Sequence, residues 1–501
     1  MSLLHAAAIF SVAMFGGVQA PTQEAAGPAQ AKGAQPNARY ELGWRVRQLE
    51  RAWAANDDVE KRKLALPHIE AAVQHFFGLR IPAAAEALDL ARLPLVPRDS
   101  KRTQCNWNDS WAFTPERRLV DSKLQELKLD MTQFYRPCNM QDVVVTGVFE
   151  GESIQRYSCQ AGADIGSTPE LDTLGLAGAE IGDRRFNVSL FNGDFVLSER
   201  SLTISIVDKR DERLSALEAA LDKLPDNAPR LERESAKALL TLLKSLAAAS
   251  TEETDYPGAR LLAEAEQVVA AAAKGERWYE STKTGQFWLA VPTSEKRTTR
   301  ARILVPALAS DAPKPPLVVA LHGAGGSENL FFDGYGDGEI VRQCEKRGWM
   351  LVAPRLGFGG APIAALVDEL ATRFSFDTAR VFVVGHSMGA AAGTSVVLAD
   401  PARYRAFAAL GGGQGLKDAA PLKGLPIFVA AGERDFALPG AKKLHASLVA
   451  AGSERAVLRV VPNTEHLMIV QDALPEVFAF FDELARARAD SGEPTDQRTD
   501  R

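Results

Sequence analysis

Between residues 381 and 393 the chain reads VFVVGHSMGAAAG, an apolar run that passes into small residues across Gly385-His386-Ser387-Met388-Gly389. A serine hydroxyl is a weak nucleophile near neutral pH and attacks a carbonyl only when a neighbouring base takes its proton. Seven histidines are candidates: His5, His68, His75, His322, His386, His445 and His466. His5 lies in an apolar leader, and His68 and His75 fall in helix-patterned stretches. His445 sits in amphipathic GAKKLHASLVAAG, where packing or a surface place accounts for it. His386 adjoins the serine and is expected to project away from it. His466, in VVPNTEHLMIV, alone follows the last strand-like run and precedes the last helix, so it is read as the general base. An imidazole in that role needs a carboxylate to fix its tautomer and stabilise its cation. Asp435 in FVAAGERDFALP fits, with Glu433, earlier in the same turn, as its rival. The order is then Ser387, Asp435, His466.

An oxyanion formed at such a serine needs N–H donors. Met388 supplies one at the start of the following helix. The second is expected from LHGAGGSEN, where Gly323, Gly325 and Gly326 let backbone approach a ligand and Ala324 is the donor. Phe331, Phe332 and Tyr335 follow that loop, and Phe436 and Leu438 follow the acid. They are read as lining an apolar acyl pocket, with a place in the core as the competing reading.

These residues must be held by elements, and beyond residue 278 the pattern supplies them. GQFWLAVP, ARILVPA, PLVVALHG, WMLVAPR, RVFVVGHS, RAFAALGG, LPIFVAAG and RAVLRVVP are short apolar runs, eight in all. Helical stretches at 337–347, 361–374, 387–399, 440–451 and 469–488 separate most of the last six. Alternation of this kind predicts an α/β sheet, mostly parallel and covered on both faces. The first two runs lack a helix between them and are expected to be antiparallel. Functional groups in such a sheet gather at the carboxyl ends of strands, where Ser387 falls. A tight strand-to-helix turn there forces the serine into a strained conformation, and its two flanking glycines give neighbouring elements room.

Upstream, Leu42, Val46, Leu49 and Trp53, then Ile69, Val73 and Phe76, recur at helical spacing. Residues 141–207 carry short alternating runs with turn chemistry at Asn192-Gly193, which predicts a small antiparallel β module. Residues 211–274 return to helical patterns. MSLLHAAAIFSVAMFGGVQA at the start reads as a signal peptide ending at Val18-Gln19-Ala20, although no Lys or Arg precedes its apolar run. The expected location is therefore secreted or periplasmic, with an N-terminal membrane anchor as the alternative. Cys105, Cys138, Cys159 and Cys344 match no zinc spacing. In an exported protein Cys138 and Cys159 are placed to pair; ordinary thiols are the competing reading. With 58 Lys and Arg against 64 Asp and Glu, the net charge of −6 gives no electrostatic basis for a nucleic-acid partner.

Through LVVALHGAGGSEN, GHSMG, GERD and TEH, residues 278–488 resemble the α/β-hydrolase superfamily. Within it they are similar to secreted esterases of the feruloyl esterase and polyhydroxybutyrate depolymerase kind and to phospholipase/carboxylesterase-type enzymes. The resemblance implies hydrolysis of a small-molecule or polymer-linked ester through an acyl-enzyme, without a cofactor or metal. A serine peptidase of the prolyl-oligopeptidase kind uses the same triad but carries a repeated propeller that is not seen before residue 278. A third reading is a non-catalytic binding or scaffold protein. The expected organisation is a leader at 1–20, a Pro- and Ala-rich tether at 21–38, a helical module at 39–98 and a β-rich module at 99–210. A helical segment at 211–276, the hydrolase region at 277–489 and a polar tail at 490–501 complete it. The sequence sets no oligomeric state.

Overall fold

The computed structural model describes residues 37–96, 109–124, 126–135, 143–150, 155–156, 170–175, 180–192, 195–309, 312–357 and 360–489. The leader, nearly all of the tether, Cys105, Cys138, Cys159 and the tail lie outside the described residues. The chain divides into two compact units. One ends at Tyr279 and adds Trp288–Pro292; the other comprises Glu280–Phe287 and the chain from Thr293 onward.

The first unit opens with α1 (Ala38–Ala54), α2 (Val59–Phe77) and α3 (Ile81–Arg92). Asn37 and Asp58 cap the first two, each accepting backbone N–H groups from the opening turn. The stripe that α1 buries differs from the one expected of its apolar residues. Leu49 and Trp53 are fully buried, but Leu42 and Val46 are only half-buried, and Tyr40, Glu41, Trp44 and Arg45 occupy the inner face. Glu41 and Arg45 go inside because they are paired there. The Glu41 carboxylate accepts from Arg45 at 2.6 Å and from Arg200 at 2.7 Å, and Arg45 also donates to Asp89 at 2.7 Å. Burial alone would push the Glu41 carboxyl up, but the guanidinium groups of Arg200 and Arg45 bring it below its ordinary value.

The strands of this unit are β1 (Trp111–Pro115), β2 (Leu119–Asp121), β3 (Glu126–Gln133), β4 (Val143–Phe149), β5 (Gln155–Arg156), β6 (Glu170–Gly175), β7 (Gly182–Asn192) and β8 (Phe195–Val207). They form a sheet of order β1-β3-β6 and another of order β2-β8-β7-β4-β5. The pairings among strands of residues 141–207 are antiparallel, as the alternating runs predict, whereas β2, which lies before that stretch, runs parallel to β8. The cause is long-range: Leu119 and Val120, both buried, pair alongside Ser205 and Ile206. The Asn192-Gly193 turn falls partly outside the described residues. Helices α4 (Arg210–Asp222), α5 (Arg230–Ala247) and α6 (Gly258–Ala273) follow where the periodicity puts them.

The second unit carries the two ends of β9 (Gly285–Ser294), whose middle belongs to the first, then β10 (Arg297–Val305), β11 (Leu317–Leu321), α7 (Leu330–Asp333), α8 (Tyr335–Arg347), β12 (Met350–Pro354), α9 (Ile363–Ala371), β13 (Val381–His386) and α10 (Met388–Ala399). Then come β14 (Ala406–Leu410), β15 (Ile427–Gly432), α11 (Leu438–Ala450), β16 (Ala456–Val461) and α12 (Ile469–Ala489). The eight strands stand in the order β9-β10-β12-β11-β13-β14-β15-β16. A two-residue turn at Glu295-Lys296 joins β9 to β10 as a hairpin. β10 is antiparallel to β12, and every pairing from β12 to β16 is parallel. Central strands β11, β12, β13, β14 and β15 are buried at every position, the signature of a sheet covered on both faces. On one face the Phe382 ring lies between Trp349 and Phe481, with centroids 5.3 and 4.5 Å away. Among the described residues no helix is long and apolar enough to cross a membrane.

Candidate active site

Ser387 occupies the turn between β13 and α10 with φ 52° and ψ −114°. A non-glycine residue held at positive φ is strained, and the packing around the turn maintains it. A Cβ on Gly389 would lie 1.9 Å from the Leu321 carbonyl oxygen, and one on Gly385 would lie 2.3 Å from the Gly389 carbonyl oxygen. The glycines therefore let α10 start directly against the end of β11. Met388 is the first residue of α10, and Ala324 lies in the loop that follows β11. Both residues are half-buried, as is Ser387.

The other two groups arrive from strands further along the sheet. The Asp435 backbone N–H donates to the Gly432 carbonyl, which closes the turn after β15. Its Oδ1 accepts the Ala437 N–H at 2.7 Å and the His466 Nδ1–H at 2.9 Å. His466 Nε2 in turn lies 2.9 Å from the Ser387 hydroxyl. Asp435 and His466 are both 4% exposed, so their pairing is shielded from water. Glu433, the rival acid, is exposed and its carboxylate accepts the Asn463 N–H. The structure thus brings Ser387, His466 and Asp435 into one hydrogen-bonded chain and leaves Glu433 outside it.

Neighbouring groups hold this chain in place. Glu465 is buried, and its carboxylate accepts N–H groups of Leu467 and Met468, so the loop carrying His466 is capped as it enters α12. An acidic residue just ahead of an apolar helix is a cap signal readable in the sequence. His322 Nε2 accepts the Leu356 N–H at 2.9 Å, and its Nδ1 lies 2.8 Å from the Gly323 carbonyl, fixing the glycine-rich loop after β11.

The aromatic residues separate. The Phe436 ring is 57% exposed and packs on His466 with centroids 4.3 Å apart, so it faces solvent beside the base. Phe331 and Phe332 are core residues: both are buried, and Phe332 lies under the Arg302 guanidinium at 4.6 Å. Neither has the exposure of a pocket wall. Tyr335 is likewise buried, with its hydroxyl 2.7 Å from His386 Nδ1. All three rings belong to the hydrophobic core, the competing reading, with Phe331 and Phe332 on α7 and Tyr335 at the start of α8. The helix expected from residue 337 is also interrupted at its start, since Tyr335, Gly336, Asp337 and Gly338 all have positive φ.

No family model matches this sequence, and none of the curated proteins does. Similar folds occur among solved structures. A ferulic acid esterase is 15% identical with a TM-score of 0.34, covering 40% of this chain and 98% of its own. S-formylglutathione hydrolase from Staphylococcus aureus is 12% identical with a TM-score of 0.33, over 40% of this chain and 97% of its own. A thermostable carboxylesterase cloned from a metagenomic library is 16% identical with a TM-score of 0.32, over 42% and 90%. Likeness at this level carries no functional weight, and the assignment of fold rests on the strand order, the antiparallel second strand and the strained serine turn after the fifth. By those features the second unit has the α/β-hydrolase fold.

Proposed function

We propose that this protein is a serine hydrolase that cleaves carboxylic esters through an acyl-enzyme. One observation carries the reading: the Ser387 hydroxyl, the His466 imidazole and the Asp435 carboxylate form one hydrogen-bonded chain at the carboxyl ends of β13, β16 and β15. His466 Nε2 takes the Ser387 proton as Oγ attacks the ester carbonyl carbon. The carbonyl π electrons move to oxygen, where the N–H groups of Met388 and Ala324 hold the oxyanion. Asp435 stabilises the imidazolium and keeps Nε2 turned toward the serine. Collapse expels the alcohol, which takes its proton from His466, and the acyl group stays on Ser387. Water then attacks the acyl carbon with His466 again as base, and the acid leaves. Phe436, exposed beside His466, offers an apolar face to the acyl or alcohol part of the substrate.

The test is the wild type beside Ser387→Ala on p-nitrophenyl esters from acetate to decanoate and on chromogenic aminoacyl peptides. The expected result is ester turnover that falls about 10⁴-fold or more in the variant, the scale of triad loss. Ester turnover that survives the substitution would contradict the proposal. Ser387-dependent cleavage of the peptides alone would replace the ester with a peptide bond, and silence on both panels would favour a binding role.

A further inference from the structure

His386 adjoins the nucleophile and takes no part in the Ser387–His466–Asp435 chain. In the structure it is 3% exposed, and each ring nitrogen meets a defined partner. Nε2 lies 3.0 Å from the backbone carbonyl oxygen of His466, which can only accept, so Nε2 carries the proton. Nδ1 is then the acceptor, and the Tyr335 hydroxyl donates to it at 2.7 Å. The Tyr335 oxygen in turn accepts the Gly323 N–H at 3.3 Å. The run is consistent in direction from end to end: Gly323 N–H to Tyr335 oxygen, Tyr335 O–H to His386 Nδ1, His386 Nε2–H to the His466 carbonyl.

Packing enforces the arrangement. A Cβ on Gly323 would lie 2.8 Å from His386 Nδ1, so the loop after β11 passes directly against the ring. A Cβ on Gly411 would lie 3.2 Å from His386 Cδ2, which closes another side. The Tyr335 ring meets His386 edge-on, with centroids 5.0 Å apart. Burial holds the His386 imidazole well below its ordinary range, and the charge of the neighbouring His466 ring acts in the same direction against the hydrogen bond to the His466 carbonyl, which agrees with the neutral tautomer that the partners require.

We propose that His386, with Tyr335 behind it, is a positioning residue that ties the loop of the base and the oxyanion loop to the strand that carries the nucleophile. The proposal rests on the ester-hydrolase reading of the site. Ser387, His466 and Ala324 sit on three separate strand ends, and nothing covalent near the site sets their mutual distances. A hydrogen-bond chain that starts one residue before Ser387, reaches the His466 backbone and ends one residue before Ala324 supplies that constraint. Displacement of a reacting group by about 1 Å costs about 10²-fold in rate, so such a tie has a kinetic signature.

The experiment compares Tyr335→Phe, His386→Gln, His386→Asn and the double variant Tyr335→Phe/His386→Asn with wild type on p-nitrophenyl butyrate. Functional sites are counted by fluorophosphonate titration, so kcat refers to folded, reactive enzyme. Glutamine keeps an N–H donor near the Nε2 position, and asparagine keeps only an acceptor near Nδ1. The expected result is a kcat per titrated site about 10- to 100-fold lower in His386→Asn, with KM within about twofold of wild type and partial recovery in His386→Gln. Tyr335→Phe is expected to lower kcat per site as well, and to add little in the double variant, because both substitutions break the same chain. Wild-type kcat per site in His386→Asn and Tyr335→Phe would overturn the proposal. So would a melting-temperature loss with equal kcat in His386→Gln and His386→Asn, which marks a purely structural residue. Should His386→Asn yield no folded protein, Tyr335→Phe decides alone, since it removes one buried hydroxyl and nothing else. Ester turnover that does not depend on Ser387 would sink the hydrolase reading itself, whereas Ser387-dependent turnover indifferent to His386 would sink only the positioning role.

Discussion

Ser387 is held at φ 52° by contacts that leave no room for larger neighbours, and the tightest is at Gly389. A methyl group there would sit 1.9 Å from the Leu321 carbonyl oxygen, well inside van der Waals contact and against backbone that is fixed in the sheet. Gly389→Ala is therefore expected to destabilise the second unit by more than about 3 kcal/mol, at the severe end of single substitutions, and to abolish turnover with it. Thermal unfolding measured beside wild type checks this, and a variant that melts within a degree of wild type would show that the turn relaxes freely. At this scale the sequence was informative where chemistry demands a residue type. A serine between glycines, a late histidine and an acid in the turn before it are all legible because each job admits few side chains. The choice of Asp435 over Glu433 is legible too, from its place after the strand. His386 was not legible, since nothing in a linear reading says that its ring meets Tyr335 and the His466 carbonyl. Those partners lie 51 and 80 positions away.

Elements show where polar groups defeat pattern reading. Helix α1 turns Glu41 and Arg45 inward, so its apolar stripe alone misplaces the buried face. Arg200 on β8 supplies the missing partner, and no local spacing announces it. Helix α6 carries a second case with a measurable consequence. Glu264 is buried there, and burial raises its carboxyl to about 7, against which the Tyr279 hydroxyl and Arg260 only partly work. Tyr279 donates to Glu264 at 3.1 Å. A carboxyl whose folded value lies above its unfolded value near 4.5 contributes stability that is complete below that value and lost as pH rises through about 7. The sign follows because the folded state binds the proton more tightly. The melting temperature of wild type is thus expected to fall relative to Glu264→Gln between pH 5 and pH 8, by an energy of at most about 3 kcal/mol. A difference between the two proteins that stays constant across that range would contradict the assignment.

For the whole molecule, alternation of strands and helices carried most of the information. All eight strands of the large sheet fall on the apolar runs that predict them, because a sheet covered on both faces must be built of continuous apolar segments. The order β9-β10-β12-β11-β13-β14-β15-β16 is what then collects three distant loops at one edge. The first unit was less legible. Its β2 lies parallel to β8, a pairing between positions about 86 residues apart that alternating polarity does not encode. The central claim for the molecule is that Ser387 is its acyl-accepting group. Covalent labelling tests it most directly: the purified protein is reacted with a fluorophosphonate, the adduct is mapped by mass spectrometry, and residual p-nitrophenyl ester turnover is followed against the labelled fraction. The account predicts one adduct, on Ser387, with turnover lost in proportion to labelling and no adduct after Ser387→Ala. An adduct on another residue, or turnover that persists when Ser387 is fully labelled, would contradict it.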